Sequence, residues 1–240
     1  MASTGDSITR AFDISPAHFL QDSPEYSWST GTAAIVDSQY DHILAADPAI
    51  KGHEYNDAKT GAQMSALDGQ LKTAAGQHVQ YVTILMGAND ICTSSPSTMT
   101  PTATFRSEFE KAMADFTKAD PSAHIFVSSI PNIYHLWAIL HTNSTAQSTW
   151  STLGLCQSML SASGTAATRS EVQQREIADN AILASVCSTY ANCVWDKDTV
   201  YKVLFTASDV SKADYFHPDL TGQKLLAAVT WSVGFWPSAK

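Results

Sequence analysis

The feature that most constrains the fold of this sequence is the segment 79–86, which is rich in β-branched and apolar residues along its whole length. A strand that is apolar on both faces is typical of a sheet covered by helices on both sides, since a solvent-exposed face would alternate with polar residues. The segment runs directly into the turn residues 87–90. Residues 125–130 repeat the pattern and break at Pro131, which predicts a second buried strand.

Helical patterns alternate with these strands along the chain. Shorter strands are predicted before Gly5, at 52–58 and at 193–195. Helices are predicted at 33–46, 62–75, 101–120, 170–190, 200–206 and 218–235, whereas 15–32 and 132–168 are predicted to be less regular. This alternation predicts an α/β fold with a central parallel sheet and one domain over 1–240. Binding sites in such sheets form beyond the carboxyl ends of the strands.

Composition excludes several classes of protein. The chain has 240 residues, of which 44% are hydrophobic and 15% charged, so it can bury a full core and is not disordered. Its net charge of −9 argues against nucleic acid or an anionic bilayer as the main partner. No stretch approaches the roughly 20 apolar residues of a spanning helix. We therefore expect no nucleic-acid partner and no stable membrane insertion. The chain is also expected to be a monomer, although nothing in its composition bears on this.

Cysteine usage favours an extracellular enzyme. The four cysteines are Cys92, Cys156, Cys187 and Cys193, an even number that allows three pairings. None of them forms a C-x-x-C motif, which argues against a zinc site, and none of the histidines forms a metal-binding spacing such as H-E-x-x-H. We expect neither a metal nor an organic cofactor.

The hexapeptide Gly5-Asp6-Ser7-Ile8-Thr9-Arg10 carries a candidate nucleophile. Ser7 follows a short strand-compatible segment, and the residues after it can begin a helix, so Ser7 is predicted at a strand-to-helix junction. Free backbone N–H groups at such a junction can stabilise an oxyanion. The alternative is that Ser7 simply caps the helix, because Ser is a preferred N-cap residue.

The segment Asp214-Tyr215-Phe216-His217-Pro218 carries a candidate base. A carboxylate three residues before a histidine can accept a hydrogen bond from one ring nitrogen, which leaves the other free to face Ser7. The alternative is a surface histidine before a helix that begins at proline.

Two further residues are candidates for stabilising an oxyanion. Asn89 follows the strongest strand and can present its side-chain N–H groups, and Gly61 can offer a backbone N–H. Both also fit ordinary roles, Asn89 in a turn at a strand end and Gly61 beside a helix.

Taken in order, G-D-S-x-T, a mid-chain glycine, G-x-N-D and D-x-x-H-P resemble the SGNH hydrolases, also called the GDSL esterase/lipase family. The resemblance spans residues 5–218, and its glycine motif at 56–62 is loose. It implies a flavodoxin-like three-layer α/β/α sandwich with a central parallel sheet. It also implies that Ser7 is the nucleophile, that His217 is the general base and then acid, and that Asp214 orients His217. The oxyanion hole would consist of the N–H groups of Ser7 and Gly61 with the Asn89 side chain.

The resemblance extends to the cysteines. The position of Cys92 directly after G-x-N-D is similar to that in secreted and phospholipase B-like branches of the family, where a disulfide fastens this loop. It implies Cys156 as the partner of Cys92, with Cys187 and Cys193 near enough to bridge each other.

The expected function is therefore that of a secreted serine esterase or lipase. Its substrate would be a small-molecule ester or lipid with a short to medium acyl chain, and activity should rise from acetyl to butyryl or hexanoyl esters. The apolar segment after Pro131 would border the acyl pocket, with Ile133, Tyr134 and Trp137 as candidate contacts. One alternative is a carbohydrate O-acetylesterase that uses tryptophans as sugar platforms, and a remote one is a non-catalytic binding module.

Overall fold

The computed structural model describes residues 1–236, so the last four residues of the predicted 1–240 domain lie outside the described residues. The described part contains five β-strands: β1 Ala2–Gly5, β2 Tyr55–Asn56, β3 Tyr81–Leu85, β4 His124–Val127 and β5 Cys193–Trp195. It also contains nine α-helices: α1 Gln39–Ala46, α2 Leu67–Gly76, α3 Ala88–Ile91, α4 Thr102–Ala119, α5 Ile133–Leu140, α6 Ser144–Leu153, α7 Gln157–Leu160, α8 Ala166–Cys187 and α9 Leu220–Ser232.

The five strands form one parallel sheet in the order β2-β1-β3-β4-β5. This is the flavodoxin-like order, and it confirms the predicted fold class. The chain first moves from β1 outward to β2 and then crosses back to β3, so the direction of winding reverses between β1 and β3. Gly5 pairs with Leu85 across this switch point, and the turns that follow the two strands therefore emerge side by side. Ligands of such folds bind at this place.

Right-handed crossovers distribute the helices over both faces of the sheet. The connection through α1 runs in the opposite direction to those through α2, α4 and α8, so α1 lies on the other face. The three helices α2, α4 and α8 pack against each other in sequence. Helix α9 joins the α1 layer, where the Gln39 side-chain amide donates to the Thr230 hydroxyl at 2.9 Å. The sheet is thus covered on both sides, as its continuous apolar strands predict.

Three predicted helical segments differ from the structure. The residues after Ser7 form a tight turn instead of a helix, because Ala11 and Asp13 adopt left-handed backbone angles. Helix α1 begins at Gln39 instead of residue 33, since Ser38 and Asp41 form a capping box there. Residues 200–206 are not helical.

The segment 132–168 is more regular than predicted and contains helices α5, α6 and α7. Pro131 does not prevent a helix, because the Asn132 side chain accepts a hydrogen bond from the backbone of His135 and so caps α5. Asn143 caps α6 in the same way.

Both implied disulfides are present. Cys92, at the end of α3, is bonded to Cys156, which precedes α7. The second disulfide, Cys187–Cys193, joins the end of α8 to the start of β5. None of the helices within residues 1–236 is long and apolar enough to cross a bilayer.

Candidate active site

Ser7 lies just beyond β1, in a turn that requires glycine at its start. Gly5 has a φ of +144°, and a Cβ atom there would lie 2.3 Å from the carbonyl oxygen of Leu85 on the neighbouring strand. Any larger residue would push the two strands apart. The buried Gln70 side chain of α2 forms two hydrogen bonds with the backbone of Gly5. It accepts from the N–H at 2.7 Å and donates to the carbonyl at 2.9 Å.

Side chains from distant segments hold the rest of this turn. The Gln223 amide of α9 donates to the carbonyl of Ile8 at 2.8 Å, and the Asn56 amide donates to the carbonyl of Thr9 at 2.9 Å. Asp6 accepts from the N–H of Ile8 at 2.9 Å. Burial raises the pKa of Asp6 to about 7. The turn thus takes its rigidity from these hydrogen bonds.

Ser7, His217 and Asp214 form one continuous hydrogen-bonded chain. The Ser7 hydroxyl lies 2.7 Å from Nε2 of His217, and Nδ1 of His217 lies 2.5 Å from the Asp214 carboxylate. All three side chains are buried, with exposed fractions of 6%, 5% and 1% respectively. The contact joins residues 210 positions apart in sequence. Such an arrangement can withdraw the proton of a serine hydroxyl when the hydroxyl attacks a substrate.

The loop that carries His217 is fixed on several sides. The second oxygen of Asp214 accepts from the backbone N–H groups of Phe216 and His217 at 2.9 and 3.1 Å. The buried indole N–H of Trp150 donates to the carbonyl of Tyr215 at 2.9 Å. The rings of Phe12 and Phe216 both meet the imidazole edge-on, with centroids 5.3 and 4.9 Å away. The imidazole is therefore held by packing as well as by its hydrogen bonds.

The electrostatic surroundings make His217 a stronger base. Burial is the largest single influence on the pKa of His217 and lowers it, but the charge and hydrogen bond of Asp214, together with the charges of Asp6 and Asp13, outweigh burial and hold the pKa above its ordinary value. Burial alone would raise the pKa of Asp214, but His217 and the two backbone donors hold it below its ordinary value. Asp214 is therefore ionised wherever His217 changes its charge.

Asn89 lies in the short helix α3 and Gly61 in the loop before α2, and these two segments are hydrogen-bonded to each other. The Asn89 amide donates to the carbonyl of Ala62 at 3.0 Å, and the Gln63 amide donates to the carbonyl of Asn89 at 3.2 Å. Asp90 accepts from the N–H of Met64 at 2.9 Å. The Asn89 amide carries two hydrogens and uses one of them for Ala62, so the second can serve a bound substrate.

With this geometry established, comparisons with known proteins identify the family. Residues 4–225 match the model of the GDSL-like Lipase/Acylhydrolase family. The chain belongs to this family. No match was found among curated proteins.

Solved structures of other GDSL-type and ester-cleaving proteins share the fold at low sequence identity. Phospholipase A1 from Streptomyces albidoflavus NA297 is 14% identical with a TM-score of 0.56, and 97% of this chain and 98% of that chain are covered. The extracellular lipase from Streptomyces rimosus is 16% identical with a TM-score of 0.53 and the same coverage. A two-domain esterase active on acetylated mannans is 14% identical with a TM-score of 0.52, and 95% of this chain and 47% of that chain are covered.

A small apolar pocket in this GDSL-family protein is lined by sequence neighbours of Ser7 and His217 (Ile8, Phe216 and Pro218) but not by Ser7 or His217 themselves. Its volume is about 40 Å³. The lining residues come from five segments of the chain: Ile8, Pro131, Asn132, Ile133, His135, Leu136, Phe205, Asp209, Val210, Phe216 and Pro218. The side chain of His135 lies 2.7 Å from the carbonyl of Phe205, and this contact joins α5 to the loop that forms the opposite wall.

The structure places only one of the three candidate substrate contacts in this pocket. Ile133 lines it together with His135 and Leu136 of the same helix, whereas Tyr134 and Trp137 are not among the lining residues. Trp137 instead stacks against His141. The guanidinium carbon of Arg169 lies over the Trp137 ring, 4.3 Å from the ring centre.

Sequence reasoning missed most of the pocket wall. Ile8, Phe216 and Pro218 adjoin Ser7 and His217 in sequence, and that proximity was an available signal. Phe205 and Val210 belong to an irregular loop, and neither their spacing nor their type marks them as pocket residues.

Proposed function

We propose that this protein is a serine ester hydrolase that works by acyl transfer, with Ser7 as nucleophile, His217 as general base and then general acid, and Asp214 orienting His217. The observation that carries the proposal is the buried hydrogen-bonded chain from the Ser7 hydroxyl through His217 to Asp214. Membership of the GDSL-like lipase/acylhydrolase family supports the same class of reaction.

In the first half of the reaction, the Ser7 oxygen attacks the ester carbonyl carbon while Nε2 of His217 takes the hydroxyl proton. The carbonyl oxygen becomes an oxyanion, and the N–H groups of Ser7 and Gly61 together with the Asn89 amide would stabilise it. The carbon–oxygen bond to the alcohol then breaks, and His217 returns the proton to the departing alcohol. An acyl group remains on Ser7.

In the second half, water takes the place of the alcohol. His217 removes one proton from the water as it attacks the acyl carbon, and a second oxyanion forms in the same position. Its collapse breaks the bond to Ser7, which recovers a proton from His217 as the acid is released. The proton exchange between Ser7 and His217 joins two groups that already lie 2.7 Å apart.

The volume of the pocket favours a short acyl group. A water molecule needs about 10–15 Å³ of free volume, so a pocket of about 40 Å³ holds roughly three non-hydrogen atoms, the size of an acetyl group. Longer chains would have to displace side chains or extend into solvent. We therefore place the preferred substrates at the short end of the expected range, acetyl to butyryl. Secretion, supported by the two disulfides, and a monomeric state belong to the same proposal.

A carbohydrate O-acetylesterase is the second candidate, since the pocket fits an acetyl group and one structural neighbour is described as active on acetylated mannans. Five of the six tryptophans, all except Trp195 at the end of β5, argue against it. Trp28 and Trp150 are buried, and Trp231 and Trp236 line a cavity together with residues at the amino ends of the strands, opposite the edge that bears Ser7. Trp137 is the tryptophan whose helix also lines the pocket, and it packs under Arg169.

The test combines Ser7→Ala with a fluorophosphonate probe and a panel of esters. We expect the probe to label the native protein at Ser7, and Ser7→Ala to lower ester turnover by roughly 10⁴-fold or more. Ser3→Ala is the matched control. It also removes a buried, hydrogen-bonded serine hydroxyl, but Ser3 lies within β1 and does not line the pocket. An unlabelled native protein would support a binding module instead. Preference for acetylated oligosaccharides over simple acetyl esters would support the carbohydrate esterase.

A further inference from the structure

Asp13 is a buried carboxyl group at the end of the turn that carries Ser7. Its side chain is 1% exposed, and its backbone is left-handed with a φ of +53°. Its backbone N–H donates to the carbonyl of Gln21 at 3.0 Å, and its side chain accepts from the N–H of Leu20. These two hydrogen bonds close the loop 13–21 and fix the direction of the carboxyl group.

This carboxyl group lies beside Asp214 and His217. One oxygen of Asp13, one oxygen of Asp214 and a ring nitrogen of His217 all lie within 4.8 Å of one another. Asp13 is hydrogen-bonded to neither Ser7 nor His217, its side chain is within hydrogen-bond reach of Asp214, and it does not line the pocket. A buried carboxyl group so close to an ionised one is costly unless a positive charge compensates for it.

We propose that Asp13 is a positioning residue for His217, and that its carboxylate stabilises the imidazolium formed each time Ser7 gives up its proton. The proposal rests on the proposed function, in which His217 accepts that proton. Asp13 then acts on His217 without a hydrogen bond to it, through its charge and through the loop 13–21 that holds it in place. A negative charge at this distance in a buried site favours protonation of an imidazole substantially.

The other groups that face His217 are consistent with this role. Asp214 is hydrogen-bonded to it, Asp6 adds negative charge, and the Phe12 and Phe216 rings are uncharged. Arg10, the basic residue of the same turn, is paired with Asp22 at 2.9 Å. Burial raises the pKa of Asp13, the Leu20 N–H lowers it in part, and the nearby Asp214 raises it again. His217 is therefore the group that compensates for the negative charge.

The test is Asp13→Asn with Asp37→Asn as the matched control. Asn keeps an acceptor for Leu20, tolerates the left-handed backbone, and replaces the charged carboxylate by a neutral amide of the same size. Asp37 has almost the same backbone angle, with a φ of +57°, but it is 62% exposed on another loop. The pKa of His217 is measured by NMR titration of its ring nitrogens. We expect Asp13→Asn to lower it by about one pH unit, and Asp37→Asn to leave it unchanged.

An unchanged pKa of His217 in Asp13→Asn would overturn the proposal, since a purely structural Asp13 would alter Tm and not this titration. If Asp13→Asn does not fold, Asp13→Ser provides a second variant that removes the charge and keeps a shorter acceptor. In ester hydrolysis, the acid limb of kcat/KM should move to lower pH by the same amount. A native protein without esterase activity would refute the proposed function, whereas the NMR titration would still decide the role of Asp13.

Discussion

Replacing Ile133 with alanine should change the acyl specificity of the pocket. Ile133 is the first residue of α5, is 5% exposed and forms part of the pocket wall with Ile8 and Phe216. Its backbone N–H donates to the Glu176 carboxyl group at 3.0 Å, and this hydrogen bond survives the substitution because it involves no side-chain atom of Ile133. The change therefore enlarges the pocket by about three carbon atoms and leaves the start of the helix anchored.

The size of the effect follows from the volume. The native pocket holds roughly three non-hydrogen atoms, so a butyryl chain gains little from its last two methylenes. In Ile133→Ala these methylenes can be buried, at about 0.8 kcal/mol or roughly fourfold each in specificity. The ratio of kcat/KM for butyryl over acetyl should therefore rise by about 16-fold at most. The acetyl ester alone should lose activity, because it no longer fills the space.

The assay is kcat/KM for p-nitrophenyl acetate, butyrate and hexanoate. Leu140→Ala is the matched control, since Leu140 lies two turns later on the buried side of α5 but does not line the pocket. Both substitutions should cost about 2–5 kcal/mol of stability, and only Ile133→Ala should change the ratio. Equal ratios in the two variants would refute the assignment of this cavity as the acyl pocket.

Three further predictions concern the base, the oxyanion and a disulfide. Because the pKa of His217 is raised and its neutral form is the base, kcat/KM should rise with pH through a step above 6.5; a step below 6.5 would contradict this. Asn89→Ala should lower kcat by roughly 10²–10³ with little change in KM, measured by steady-state kinetics. Replacing Cys92 and Cys156 by serine opens a link across 64 residues and should cost about 4 kcal/mol in denaturant unfolding, against about 2 kcal/mol for the six-residue disulfide.

The sequence predicts the sheet and its site edge well because both depend on strong local signals. Strands buried on both faces read as continuous apolar runs, and the residues that follow them must share one edge of a parallel sheet. Ser7 and Asn89 follow the adjacent strands β1 and β3, so their approximate location requires only the strand order. The position of His217 depends instead on a long loop, and only the motif Asp214-x-x-His217 predicts it.

The helix predictions were wrong where side-chain caps decide the outcome. Asn132 follows Pro131 and was interpreted as part of a break, yet its side chain begins α5. The apolar residues of 200–206 have nearly helical spacing, but hydrogen bonds to residues outside the segment hold it in a non-helical conformation. The Asp196 carboxylate accepts from the N–H of Val200, and the carbonyl of Phe205 lies against His135. Tertiary contacts of this kind leave no periodic signal in the sequence.

The pocket could not be predicted from periodicity because its wall is built from segments that meet only in the folded chain. Ile8 belongs to the first turn, Ile133 to α5 and Phe205 to a loop. Tyr134 and Trp137 were predicted as contacts because they are apolar and follow the same strand. Ile133 shares both of these features, so composition alone cannot separate the three residues.

The irregular backbone around the site also explains why several helices carry buried side chains that can form hydrogen bonds, although their helical patterns do not mark these residues as functional. A turn or loop end that is buried must satisfy its N–H and C=O groups without a regular partner. Gln70 of α2 hydrogen-bonds to both the N–H and the carbonyl of Gly5, and Gln223 of α9 donates to the carbonyl of Ile8. Glu176 of α8 accepts from the N–H of Ile133, and Trp150 of α6 donates to the carbonyl of Tyr215. Each of these side chains lies outside the motifs, on a helix whose main role is to cover the sheet. The site is therefore positioned by side chains of the helical layers as well as by the motifs.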